Sequence, residues 1–223
     1  MIRGLRIAAL LFSFAARANE IVRAPIRMPA RPVVETDEPT RYRQDRFQVA
    51  AEFSMLTPTI TETSTQTERK SGGVPIGFAA ARFPLFRIGE WQTTLIPKVG
   101  MGTNRGVFQV SQAGTRYSEE LRLLIVPIAL SFEVSFPIAG FPFLKPALSV
   151  GVGEQYTAQE GGGGGRKQFW TPFVTARPAL IFLQNTSADD FFGGFSFGVT
   201  RWWGVGPTRV SSWSVDTALF FNL

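Results

Sequence analysis

The chain has 223 residues, enough for one domain with additional segments, and 18% of them are charged, below the usual quarter for soluble domains. Cysteine and histidine are both absent, which excludes disulfides, zinc–thiolate sites, Ser-His-Asp triads and Cys-His pairs. The net charge is +6, but no basic run interleaved with aromatics follows the first 18 residues, so nucleic-acid binding is not expected. The composition favours a protein that is not an enzyme and uses no cofactor or metal.

Residues 1–18 have the features of a signal peptide. A basic start precedes a short apolar core at 7–16, which is too short to span a bilayer, and Ala16-Arg17-Ala18 fits the small-x-small cleavage pattern. We expect the mature chain to begin near Asn19. The alternative is a cytoplasmic amphipathic helix. No later stretch has 18 unbroken apolar residues, so a helical membrane anchor is not expected.

Residues 19–45 have the composition of a disordered periplasmic linker. Four prolines interrupt the segment, and it carries five basic and five acidic residues without periodicity. Such a chain buries too little apolar area to offset the entropy lost on ordering.

From residue 46 onward, apolar and polar residues alternate with the period of a β-strand. The last segment is the clearest example, with an apolar face of Trp213, Val215, Thr217, Leu219, Phe221 and Leu223. Its other face is small or polar: Ser212, Ser214, Asp216, Ala218 and Asn222, interrupted only by Phe220. An earlier segment repeats the pattern, with Leu124, Val126, Ile128, Leu130, Phe132 and Val134 opposite Ala129, Ser131, Glu133 and Ser135.

Eight such segments can be counted, at roughly 46–60, 74–87, 91–112, 120–136, 141–156, 167–183, 191–204 and 210–223. Three connections are short: Ile88–Glu90, Pro137–Gly140 and Asn185–Asp190. Three are longer and polar: Thr61–Gly73, Ala113–Glu119 and Thr157–Arg166. Short turns at one rim and longer loops at the other are typical of outer-membrane barrels, and an even strand number places both termini at the periplasmic rim.

These observations predict that residues 46–223 form an all-β, eight-stranded, antiparallel up-and-down transmembrane barrel with short periplasmic turns. An open sheet edge is not tolerated in hydrocarbon, because each unpaired backbone group costs several kcal/mol there. Aromatic residues near the predicted strand ends suit interfacial girdles. A soluble periplasmic β-barrel that binds a lipophilic ligand uses the same alternation and is the alternative.

The central hairpin also carries a family resemblance. Residues 126–137 begin with Val-Pro and end with Ser-Phe-Pro, and residues 143–153 read Phe-Leu-Lys-Pro-Ala-Leu-Ser-Val-Gly-Val-Gly. This pair resembles the central hairpin of small bacterial outer-membrane barrels of the OmpA/OmpW-like group. The resemblance implies a barrel in the outer membrane of a Gram-negative bacterium and does not specify a ligand.

If the apolar face contacts lipid, the opposite face lines the lumen and places charges there: Glu52, Arg82, Lys98, Glu133, Lys145, Arg177 and Asp216. An eight-stranded barrel is just wide enough to be filled by side chains, so we expect these charges to form a paired network. Asp216 should lie beside a base, with Arg177 and Lys145 as candidates. The network is interpreted either as a structural salt-bridge plug or as a gate for ions.

The functional hypothesis is a non-enzymatic barrel that serves as a structural or surface protein, or as a narrow, porin-like conduit for small or apolar molecules. Its expected partners are outer-membrane lipids and, through the C-terminal strand, the barrel-assembly machinery, and we expect a monomer. Asp189-Asp190 fits a turn better than a catalytic pair. The glycine run 161–165 lacks the Gly-Lys-Ser/Thr continuation of a phosphate loop. The loop 57–71 is either a plain solvated loop or a recognition site.

Overall fold

The computed structural model describes residues 47–141, 143–161, 165–183 and 192–222. Its strands are β1 Gln48–Leu56, β2 Thr59–Glu62, β3 Thr67–Lys70, β4 Val74–Ile88, β5 Trp91–Gln112, β6 Thr115–Ser135, β7 Leu144–Gly161, β8 Lys167–Leu183, β9 Phe192–Gly204 and β10 Thr208–Asn222. Within these ranges no helix has the length and apolarity needed to cross a bilayer. The predicted signal peptide, the linker, the turn at 185–190 and Leu223 lie outside the described residues.

Eight strands close into a ring of antiparallel neighbours: β1, β4, β5, β6, β7, β8, β9 and β10. The first and last strands make the closure, with β1 and β10 in continuous register from Gln48↔Asn222 to Leu56↔Ser214. Both strand edges are therefore paired, as a hydrocarbon environment requires. The predicted all-β, eight-stranded antiparallel fold is confirmed.

All three predicted long loops form strand at least in part. In the loop expected at 157–166, residues 157–161 continue β7 and pair with β6. Part of the segment expected to be a polar loop folds as the β2–β3 hairpin, in which β2 pairs with β10 and β3 pairs with β5. The loop expected at 113–119 is reduced to the turn Ala113–Gly114, and β5 and β6 stay paired up to it. The sequence did not predict these strands because the barrel wall lies outside the membrane here. Its outward side chains face water and are polar, so no apolar stripe marks the alternation.

The side-chain alternation of β10 follows the predicted pattern. Trp213, Val215 and Leu219 are exposed on the outside, whereas Ser214 and Asp216 are buried inside. The exception in the sequence pattern, Phe220, is an interior residue that is only 1% exposed. The guanidinium of Arg82 lies 4.4 Å from its ring centroid, so Phe220 supplies an aromatic face to a buried cation.

The outer wall carries an apolar belt that surrounds the ring. Exposed side chains from seven strands of the ring form it: Phe53, Met55, Ala79, Val99, Met101, Leu148, Val150, Val152, Val174, Leu180, Phe195, Phe197, Val199, Val215 and Leu219. On β6 the half-buried Phe132 completes it. Aromatic pairs lie at its two ends, Trp91 with Phe136 (5.7 Å between ring centroids) and Tyr156 with Trp170 (5.3 Å). A contiguous apolar surface of this kind is rare on soluble proteins, whereas a band between aromatic girdles is the outer surface of a membrane barrel.

Candidate functional site

The interior of the barrel consists of three layers stacked along its axis. We call the end that holds Gln48 and Asn222 the terminal end, and the opposite end the far end. The terminal layer is small and apolar: Ala50, Ala147, Ile181, Leu183, Ala218 and Phe220. The upper layer, toward the far end, is larger and apolar: Leu56, Ile60, Val74, Ile76, Phe78, Phe108, Leu121, Leu123, Ile125, Ala129, Phe173, Trp202 and Val210. Between them lies the charged layer: Glu52, Arg82, Lys98, Glu133, Arg177 and Asp216.

Four of the charged side chains form a connected chain. Arg82 Nη2 lies 2.5 Å from Glu133 Oε1, and Arg177 Nη1 lies 3.9 Å from Glu133 Oε2. Arg177 Nε lies 3.4 Å from Asp216 Oδ2. Glu133 is thus shared by two arginines, and Arg177 is shared by two carboxylates. Pairing of this kind is needed because an isolated ion in a low-dielectric interior would be prohibitively costly.

The other two charges form a pair of their own. Lys98 Nζ lies 2.8 Å from Glu52 Oε1, to which the Ser54 hydroxyl also donates a hydrogen bond at 3.4 Å. The same ammonium group lies 4.8 Å from the ring centroid of Phe78, which belongs to the upper layer. Lys98 therefore connects the charged layer to the aromatic rings above it.

The structure places the seven predicted lumen residues in two groups. Six of them make up the charged layer, and Arg177 is the base beside Asp216. Lys145 lies nearer the terminal end, at the second residue of β7, with its side chain half-buried. The difference arises from register, because Ser149 is the residue of β7 that lies opposite Arg177.

Hydroxyl groups that were not predicted as site residues complete the charged layer. Asp216 accepts hydrogen bonds from Ser214 (2.7 Å) and from Thr200. Arg177 donates to Ser196 at 3.0 Å, and Trp202 Nε1 donates to Ser214 at 3.0 Å. Their signal in the sequence is weak, since an inward serine in an alternating strand looks like any small residue.

Every charged side chain of the charged layer has a partner of opposite charge. Three cations face three carboxylates, so the layer is neutral, and each carboxylate has a basic partner. The cavity that it borders measures about 20 Å³, room for about one water molecule. Among the described residues, no three His, Cys, Asp or Glu side chains converge to hold a metal ion. The arrangement offers neither a free general base nor an activated nucleophile.

A second polar cluster lies at the far-end mouth, above the upper layer. Glu62 pairs with Lys167 (3.4 Å) and Arg69 (3.6 Å), and Arg69 also pairs with Glu119 (3.6 Å). Partial burial raises the pKa of Glu62, but Lys167 and Arg69 more than offset this, so its pKa lies below the usual value of 4.5. A cleft of about 260 Å³ opens here, with Phe169 in its lining.

The fold matches that of solved bacterial surface proteins. Neisserial surface protein A shares 11% identity over 79% of this chain and 97% of its own, with a TM-score of 0.53. The chain has the fold of the small eight-stranded outer-membrane β-barrels. Two other similar barrels are OprG of Pseudomonas aeruginosa (TM-score 0.45, 10% identity, 80% and 97% covered) and Ail of Yersinia pestis (0.43, 8%, 79% and 99%). No protein-family model and no curated protein sequence matches the barrel.

Proposed function

We propose that this chain is a closed, non-conducting barrel of the Gram-negative outer membrane, acting through its outer wall and far-end rim and not through its lumen. The fold and the apolar belt support the location. In this orientation the terminal end faces the periplasm and the far end faces the outside. Of the predicted roles, we therefore favour the structural or surface protein over the narrow conduit.

The filled interior carries this proposal. An ion crossing the barrel would have to enter the upper layer, where Phe78 and Trp202 lie 6.2 Å apart and Phe173 lies 4.9 Å from Trp202 between ring centroids. Apolar rings offer no groups to replace the hydration shell of an ion. The buried polar side chains that β7 places at this level, Gln155 and Thr157, are hydrogen-bonded to each other at 3.1 Å. Below them, the charges are already paired and leave a cavity of about 20 Å³. A salt-bridge plug accounts for this arrangement better than a gate.

The predicted alternative, a soluble barrel around a lipophilic ligand, fits less well. Such a protein would keep a polar surface outside and an apolar cavity inside. Here the outside carries exposed Phe53, Met101 and Phe197, and the middle of the lumen is charged. A catalytic role is also disfavoured, because the chain has no His or Cys and the lumen carboxylates are engaged by bases. Assembly through the C-terminal strand and a monomeric state remain predictions.

Two measurements test the proposal. Planar-bilayer recording of the refolded barrel should give a silent trace, and steady unitary conductance would contradict the plug. Cell fractionation should place the protein in the envelope, with detergent needed for extraction and faster migration on SDS gels before heating than after. Recovery as a soluble monomer without detergent would contradict the membrane location itself.

A further inference from the structure

Two arginines face each other on the outer wall, just beyond the apolar belt toward the far end. Arg105 on β5 lies directly opposite Arg122 on β6, and both side chains are exposed. The next pair on the same outward face, two residues closer to the terminal end along each strand, is Thr103 and Leu124. Side chains directly opposite each other in an antiparallel pair have Cβ atoms only about 4.5–5.5 Å apart, and like charges in this position are destabilising. The placement therefore suits an anion held between the two guanidinium groups.

Neighbouring carboxylates leave Arg122 without a counter-ion. Glu120 Oε1 lies 2.9 Å from Arg105 Nε, so it serves that arginine. Glu160 is the register partner of Arg122 on β7, but its carboxylate pairs with Arg166 at 3.4 Å. Within the described part of the chain, Arg122 makes no ion pair or hydrogen bond. The patch thus presents an unneutralised guanidinium beside a second one.

The wall continues as a polar groove beyond the arginine pair. Its volume is about 510 Å³, and its lining includes Arg116, Ser111 and Ser118 together with Lys70, whose ammonium group pairs with the Glu68 carboxylate at 3.1 Å. Gln109 and Ser118 face each other in register, four residues beyond Arg105 and Arg122 respectively. The Arg116 guanidinium and the serine hydroxyls suit a sugar that carries phosphate, since the guanidinium pairs with phosphate and the hydroxyls bond to the sugar.

The direction of these side chains points to a lipid and not to a soluble partner. Arg105 and Arg122 project from the same wall faces as Met101 and Leu124, so they extend sideways from the barrel and away from its mouth. A group beside the wall just beyond the apolar belt stands among lipid headgroups. Macromolecules arriving from the medium meet the far-end turns first.

We infer that the outward faces of β3, β5 and β6 hold the phosphorylated saccharide headgroup of an outer-leaflet lipid, with Arg105 and Arg122 clamping a phosphate. The inference rests on the proposed membrane location. Guanidinium groups bind phosphate through paired, charge-assisted hydrogen bonds, which makes the interaction sensitive to salt. The groove beyond the pair then accommodates sugar.

The test compares Arg105→Gln/Arg122→Gln with a matched double variant, Arg87→Gln/Arg209→Gln, which removes two exposed arginines elsewhere. Each refolded barrel is titrated in zwitterionic detergent with phosphorylated lipopolysaccharide and with the same material after chemical dephosphorylation. We expect wild type and the matched variant to bind the phosphorylated form, and the Arg105/Arg122 variant to bind it about tenfold more weakly. Equal binding by both double variants, or by both forms of the lipid, would overturn the inference.

Two competitors separate lipid from other anions. Inorganic phosphate at the concentration of the lipid should not displace it, and displacement would assign the site to free phosphate. Heparin should bind the barrel more weakly than the lipid does. Equal affinity would assign the patch to soluble polyanions. Envelope fractionation and unheated gel migration of the Arg105/Arg122 variant, which should both equal those of wild type, report on the barrel and its location separately from lipid binding.

Discussion

Replacing Glu133 with Gln removes the carboxylate that two buried arginines share. The glutamate is 1% exposed, and the substitution leaves three cations facing two carboxylates in the charged layer. Removing one partner of a buried ion pair costs about 3–5 kcal/mol. Arg177 keeps Asp216 at 3.4 Å, and Arg82 keeps the ring of Phe220, so we expect the lower end, about 3 kcal/mol.

The loss can be measured by urea unfolding of the barrel refolded into lipid vesicles, followed by tryptophan fluorescence. With a urea dependence of about 1–3 kcal/mol/M, a loss of about 3 kcal/mol lowers the midpoint by about 1–3 M. Glu120→Gln is the matched control, because it removes a carboxylate from the exposed Arg105 pair, whose side chains are 61% and 76% exposed. That variant should lose less than about 1 kcal/mol.

A double-variant cycle identifies the cause of the loss. Adding Arg82→Met to Glu133→Gln removes the cation that was left unpaired, so the two losses should fall short of additivity by about 2 kcal/mol. Two outcomes would show that the charged layer does not stabilise the barrel as a network. One is that Glu133→Gln lowers the free energy of unfolding no more than Glu120→Gln does. The other is that the losses from Glu133→Gln and Arg82→Met are additive.

The remaining predictions concern a close contact and the far-end rim. Gly100→Ala should destabilise the barrel by about 1–3 kcal/mol in the same urea assay, because an added Cβ would lie 2.5 Å from the ring of Phe78, whereas Gly77→Ala, with no atom within 4 Å, should be nearly neutral. Glu62 has a folded-state pKa below its unfolded value, so its pairing with Lys167 stabilises the barrel above pH 4.5 and is lost as the pH falls through the folded pKa. The difference in urea midpoint between wild type and Glu62→Gln should therefore shrink between pH 7 and pH 3, and a constant difference would show that this pairing does not contribute.

The interior shows where alternation in a sequence stops being informative. Glu133 and Ser131 were assigned to the lumen because they alternate with apolar neighbours on β6, and the structure places them inside. A few residues earlier, Leu121, Leu123 and Ile125 also face inward, while Leu124 faces outward. Leu124 is apolar like its inward neighbours, so the alternation cannot be read there, and the upper layer forms only when eight strands bring their side chains together.

The far-end hairpin was missed for a related reason. Seven of the eight residues of β2 and β3 are polar or charged, so the segment has the composition of a loop. The exception, Ile60, is buried in the upper layer. The pairing of β2 with β10 and of β3 with β5 shows that the two strands continue the barrel wall. Phe220 shows the opposite situation, an apolar residue on the polar, inward face of β10. Its position is explained by the tertiary structure, in which the guanidinium of Arg82 packs on its ring.

Residue type and a period of two were enough to predict the eight strands of the ring and their apolar outward faces. Residue type alone excluded His- and Cys-based chemistry. The sequence did not determine which lumen charges form ion pairs with each other. Arg82 meets Glu133 across 51 residues of sequence, and which base lies beside Asp216 depends on the stagger of β7, β8, β9 and β10 around the closed ring. Closure brings distant charges within pairing distance, and closure is a property of the whole sheet.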